Sequence, residues 1–123
     1  MVIKKIITFI VGTVFAIRKG DRRSVRLNSV REKLLSAKKN SLVFYHNHPL
    51  SGSFSFADVE IINTYPALKE MVAVGHNGTV YSLKVGIRLS VKEFDKLSFI
   101  CTEPDLIKQL VKNYGWHYSI KKG

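Results

Sequence analysis

The sequence predicts an α+β domain, a mixed β-sheet flanked by helices, spanning residues 1–123 as one unit. Three observations predict it. Runs rich in β-branched and aromatic residues alternate with helical segments that carry recognisable caps and stops. Apolar residues make up 46% and charged residues 24% of the 123 positions, a globular balance in a chain long enough for a real core. No repeat, low-complexity tract or linker divides the chain.

The first element is the hardest to assign. Lys4 and Lys5 precede an uncharged run from Ile6 to Ile17, which imitates the basic and apolar regions of a secretory signal. That run falls short of the ~20 apolar residues a spanning helix needs. Arg18 and Lys19 follow it where a small-residue cleavage site would stand. Its Ile, Val, Thr and Phe content favours a buried strand over residues 6–17. The expectation is therefore a cytoplasmic protein with no membrane contact, a signal or anchor at residues 1–20 being the lesser alternative. A single cysteine, Cys101, forms no internal disulfide and suits a reducing compartment.

The turn "RKGD" (18–21) leads into a second short strand, "RSVRL". Ser29 and Glu32, three residues apart, form a capping box that opens a helix running to about Lys39, where Asn40 is the stop. "SLVFY" (41–45) is a short apolar run of the kind found in central strands. A helix follows from Ser55 to about Thr64 and stops before Pro66. "MVAVG" and "TVYSLKV" read as two strands joined at Asn77-Gly78, a strong hairpin signal. Ser90 and Glu93 open another helix to about Phe99, and Cys101 reads as a packing residue at its end. The last helix, Glu103 to Tyr114, has Pro104 in its first turn and Gly115 as its stop. "WHYSI" closes the domain as an edge strand.

Charge is uneven. The chain carries a formal +11, and residues 1–45 hold eleven Lys and Arg against only Asp21 and Glu32. Such a basic N-terminal third suits an acidic or nucleic-acid partner. A solvated basic face is the plainer reading, and no nucleic-acid-binding motif accompanies it.

The chemistry concentrates in "YHNHPLSGSFSFADVE", residues 45–60. Residues two apart in an extended segment face one side, so His46 and His48 aim both imidazoles at one point. The Pro/Gly/Ser-rich loop then turns back and delivers Asp58 in the first turn of the next helix. Two imidazoles and a carboxylate suit Zn²⁺, with a fourth position left for water, the pattern of catalytic zinc. Each residue also has a plainer use. Ser55 and Asp58 can serve as a helix cap, and the histidines as polar residues at a strand end. His76 and His117 are substitute ligands by type, with surface or strand placement the simpler reading. Tyr114, Trp116 and Tyr118 have the character of a base-stacking platform. Core packing and edge-strand pairing account for them more simply.

"HNHPLSGSFSFAD" resembles the metal-binding signature H-x-H-x7-S-x-x-D of the JAMM (JAB/MPN-type) zinc metallopeptidases. The "HNHP" start is most similar to their RadC-like and phage- or toxin-associated branches. The resemblance implies a JAMM/cytidine-deaminase-like fold, and a zinc ion bound by His46, His48 and Asp58. It also implies that Ser55 supports the oxyanion formed when a zinc-activated water attacks a peptide or isopeptide bond. It is tight over about 41–83 and loose elsewhere. The sequence departs from the pattern twice. Six residues, not seven, separate His48 from Ser55. The family's general base, a glutamate on an upstream strand, has no counterpart: "FIVGTVFAI" contains no acid.

The upstream acids are Glu32, the remaining candidate base, and Asp21, in a turn. Losing a general base removes roughly 10²–10⁴ in rate. The leading expectation is a zinc-dependent peptidase or isopeptidase acting on a peptide or protein substrate. The alternatives are a catalytically inactive zinc-binding structural or nucleic-acid-associated module of the same fold, or a chain abbreviated at the N-terminal side where the base would lie. Gly12 and Val14 are the strand positions at which a restoring Glu would be placed.

Overall fold

A computed structural model describes residues 5–10, 13–19, 31–47, 54–75 and 77–123, with side chains described over 34–45, 54–75 and 77–123. The elements in chain order are β1 (Lys5–Ile10), β2 (Thr13–Lys19), α1 (Arg31–Ser36), β3 (Leu42–Asn47) and α2 (Phe56–Thr64). They continue as β4 (Leu68–Val74), β5 (Val80–Lys84), α3 (Val91–Ile100), α4 (Glu103–Tyr114) and β6 (His117–Lys121). The strands form one mixed sheet in the order β2-β1-β3-β4-β5-β6. Among the described residues only β3 and β4 pair in parallel; every other neighbouring pair there is antiparallel. A parallel pair requires a crossover, and α2 supplies it.

The apolar run at 6–17 is two strands rather than the single one expected. β1 folds back on β2, with Ile7 opposite Ile17 and Ile10 opposite Thr13. An unbroken strand of that length would extend about 40 Å, roughly twice the usual strand. Folding back lets β1 satisfy its backbone on both sides, against β2 and β3. The expected strand "RSVRL" lies outside the described residues.

β3 and β4 owe their central place to their side chains. Leu42 and Phe44 alternate into the core, and Met71, Val72 and Ala73 are buried in succession, as a strand covered on both faces requires. α2 contributes Val59 and Ile62, α3 Phe94, and α4 Leu106, Ile107 and Leu110, all in one hydrophobic cluster with Leu34 of α1. In α4 the spacing i, i+1, i+4 is the apolar stripe of an amphipathic helix. Burying each large side chain stabilises the fold by about 1.5–3 kcal/mol.

The capped helices begin where the sequence places them. Ser90 caps α3 with Glu93 in a reciprocal box, and Thr102 caps α4. Gly115 ends α4 with φ 70°, the left-handed stop expected of it. The Asn77-Gly78 hairpin is present: Gly75 N–H donates to Thr79, Gly78 N–H to Gly75, and Gly78 has φ 84°. α1 is shorter than expected, ending at Ser36. Asn40 has φ 55°, and its N–H donates to Pro66, so the chain leaves the helix early to meet the start of β4.

Polar groups lock α2 to the segment before α3. The buried amide of Asn63 both donates to Leu89 O (3.0 Å) and accepts from Leu89 N–H (2.8 Å), imitating a strand pairing. Removing it would strand two buried backbone groups, each worth about 1–3 kcal/mol. The last turn of α2 has no basic residue of its own. Arg88 fills that role, donating to the carbonyls of Ile62, Pro66 and Leu68 and to Asn40 Oδ1. Its burial lowers the guanidinium pKa from the ordinary value, and a fork of donors toward several carbonyls is a task lysine cannot copy.

Candidate metal centre

The candidate ligands stand at the two ends of the connection between β3 and α2. His46 lies in β3 itself, one residue before its end, rather than beyond the strand as the 41–45 boundary implied. Its backbone sits in the middle of the sheet, opposite Ile6 of β1 on one side and Ala73 of β4 on the other. The carboxyl ends of parallel strands, next to the start of the crossover helix, are where open α/β sheets place their ligands. β3, the connection and α2 make that junction here.

The helix end of the junction is built by local chemistry. Ser55 is the N-cap of α2, with extended backbone; its Oγ accepts from Asp58 N–H at 3.2 Å. Asp58 Oδ2 accepts in return from Ser55 N–H at 2.9 Å. The reciprocal box satisfies two of the N–H groups that a helix start leaves open. The plainer reading of this pair is thus met: both residues cap. Capping and metal binding are compatible, because a carboxylate has two oxygens and the box engages Asp58 through Oδ2. Asp58 is fully buried, 0% exposed.

Placement of the remaining candidates is uneven. The side chain of His46, the whole of His48, Asp21 and His76 lie outside the described residues. Glu32 falls in α1, as expected, with its side chain outside the description. His117 is exposed on β6, opposite Lys84, and β6 is three strands from β3, roughly 14 Å across the sheet. The fold does not bring it to the junction. The positions for a restoring Glu also need correcting. Val14 lies opposite Phe9, which pairs with Val43, three residues and about 10 Å along the strand from His46. Gly12 is outside the described residues. The register position directly beside His46 is Ile6.

The aromatic trio is structural. Trp116 is 2% exposed and donates its Nε1–H to Ile87 O at 2.7 Å. Tyr118 meets Phe54 edge to face, ring centres 6.2 Å apart, and Tyr114 packs on the core. Cys101 follows α3 as its C-cap, half-buried against the core, the packing role expected. A cavity of about 230 Å³ between α2 and α3, lined by Glu60, Asn63, Thr64, Val91, Phe94 and Asp95, includes none of the expected ligands.

One residue at the junction escaped the sequence reading. Glu103, the first residue of α4, accepts from Phe56 N–H through Oε2 at 2.8 Å. In sequence it is an ordinary first-turn acid, and no spacing rule links it to a helix 47 positions earlier.

Among the described residues no group of three or more His, Cys, Asp or Glu is placed to hold a metal; two of the three expected ligands are not among those side chains. The donor set itself, two imidazoles and a carboxylate, fits zinc. Among the described residues no helix is long and apolar enough to cross a membrane. Comparison with protein-family models, curated proteins and solved structures returned no match.

Proposed function

We propose that this chain is a zinc-dependent hydrolase of the JAMM type, cleaving a peptide or isopeptide bond at the β3–α2 junction. The observation that carries the reading is a convergence of spacing and topology. His-x-His, six intervening residues, then Ser-x-x-Asp begins in the central strand and ends in the first turn of the crossover helix. His46, His48 and Asp58 would hold the ion. When bound, zinc supplies Lewis acidity toward a carbonyl and acidifies water to a pKa of about 7. Ser55 is held at the cap with its hydroxyl already accepting from Asp58 N–H. A serine hydroxyl is the type of group that can donate to the oxyanion of a substrate carbonyl.

A second reading, a zinc-binding module without hydrolytic activity, is favoured by one specific observation. β1 and β2, the strands upstream of the histidines, contain no acidic residue. In that reading zinc is structural, and the basic N-terminal third would engage an acidic or nucleic-acid partner.

The two readings separate in a hydrolysis assay. Zinc-loaded protein is offered a panel of peptide and isopeptide substrates beside the His46→Ala/His48→Ala double variant and a chelated control. Cleavage by the parent alone supports the hydrolase. If the loaded parent is inert, Ile6→Glu places a carboxylate beside His46, while Val14→Glu places one too far along the strand. Activity gained at position 6 and not at 14 identifies a site that has lost only its base. Inert protein in every case rejects the hydrolase.

A further inference from the structure

The start of α2 carries the two site residues whose geometry is described, and it is not held by local contacts alone. Within the turn, Ser55 and Asp58 satisfy each other, and Val59 N–H donates to Ser55 O at 3.1 Å in the first helical bond. The N–H of Phe56, the first residue after the cap, points out of the helix end. The group that receives it is the carboxylate of Glu103, delivered from α4. Its own helix is capped separately, by Thr102, which accepts from Asp105 N–H at 3.3 Å. A second long-range contact fixes the same turn. Phe54, buried immediately before the cap, packs edge to face on Tyr118 of β6. The C-terminal third of the chain therefore grips the turn from both sides of Ser55.

We infer that Glu103 is a positioning residue for the metal centre. Its carboxylate reaches from α4 to hold the Phe56 N–H, and so fixes the turn in which Ser55 and Asp58 stand. The inference rests on the zinc reading proposed above. It assigns a role to an acid that sits outside the signature and that the spacing of ligands does not reveal. Groups that orient metal ligands without touching the metal typically change affinity by about 10–100-fold when lost. Reach, rather than charge, is the property that matters here: the acceptor must arrive at one amide from a separate helix.

The test compares two conservative variants, zinc affinity being read by competition with a chromogenic chelator and folding by thermal melting. Glu103→Gln keeps length and an acceptor oxygen but loses the charge. Glu103→Asp keeps the charge but falls one methylene short of Phe56. Glu103→Ala loses both. The expected result is zinc affinity within about threefold of the parent for Glu103→Gln and at least about tenfold weaker for Glu103→Asp and Glu103→Ala. The reverse order, with Asp tolerated and Gln not, would show an electrostatic effect and overturn positioning. Parent-like affinity in all three, whatever happens to the melting temperature, would reduce Glu103 to a helix cap. Those results leave the zinc reading intact. A parent that binds no zinc at all rejects that reading, and the role of Glu103 with it.

Discussion

Asp58 has two uses that substitution can separate. As the N3 partner of Ser55 it accepts a backbone N–H, which an amide oxygen can also do; as a zinc ligand it needs a carboxylate. Asp58→Asn is expected to retain stability to within about 1 kcal/mol, the scale of one hydrogen bond, while zinc affinity falls steeply. Asp58→Ala should lose both the metal and about 1 kcal/mol of helix stability. Urea unfolding with and without zinc measures the two quantities independently. If Asp58→Asn holds zinc like the parent, Asp58 is a cap and nothing more. The cap was legible in the sequence because its two residues are three apart, within one turn. Glu103 and Arg88 were not legible, since their partners lie 20 to 48 positions away. A residue's type announces that it will seek a partner; only the fold decides which.

Elements bounded by local chemistry followed the sequence closely. Ser90 with Glu93, Pro104 near the start of α4 and Gly115 at its end act within a turn of where they stand. Elements bounded by tertiary pairing did not. The 6–17 run became a hairpin, and α1 stopped at Ser36 because Asn40 turns to meet Pro66. Two glycines in the C-terminal half test this distinction. Gly115 has φ 70° with open space around the position of a β-carbon, so Gly115→Ala should cost about 1–2 kcal/mol of backbone strain. At Gly86 a β-carbon would sit 2.4 Å from Tyr114 O and 2.6 Å from the backbone of Gly115. Neither neighbour is a flexible side-chain end. Gly86→Ala should therefore force β5's exit away from the end of α4 and cost more than Gly115→Ala. Equal midpoints in urea for the two variants would contradict that packing.

The fold class belongs to the whole molecule, and it was readable because alternating strand and helix signals allow few other architectures. Strand order was not. Nothing local says that β1 inserts between β2 and β3, or that β6 closes on β5, because pairing depends on contacts between distant segments. The order matters for function. It sets β3 in the middle of the sheet, with β1, free of acid, on one side and the crossover partner β4 on the other. The candidate centre thus has His46 in the interior strand and its carboxylate on the crossover helix. The flank where a base is expected offers only Ile6 opposite His46.

Metal binding is the claim on which the other functional statements depend. The most direct test is zinc per chain, by elemental analysis of the parent and of the His46→Ala/His48→Ala variant after equal exposure to zinc. About one zinc in the parent and none in the folded double variant is the predicted result. A parent without zinc, or a variant that retains it, would contradict the account.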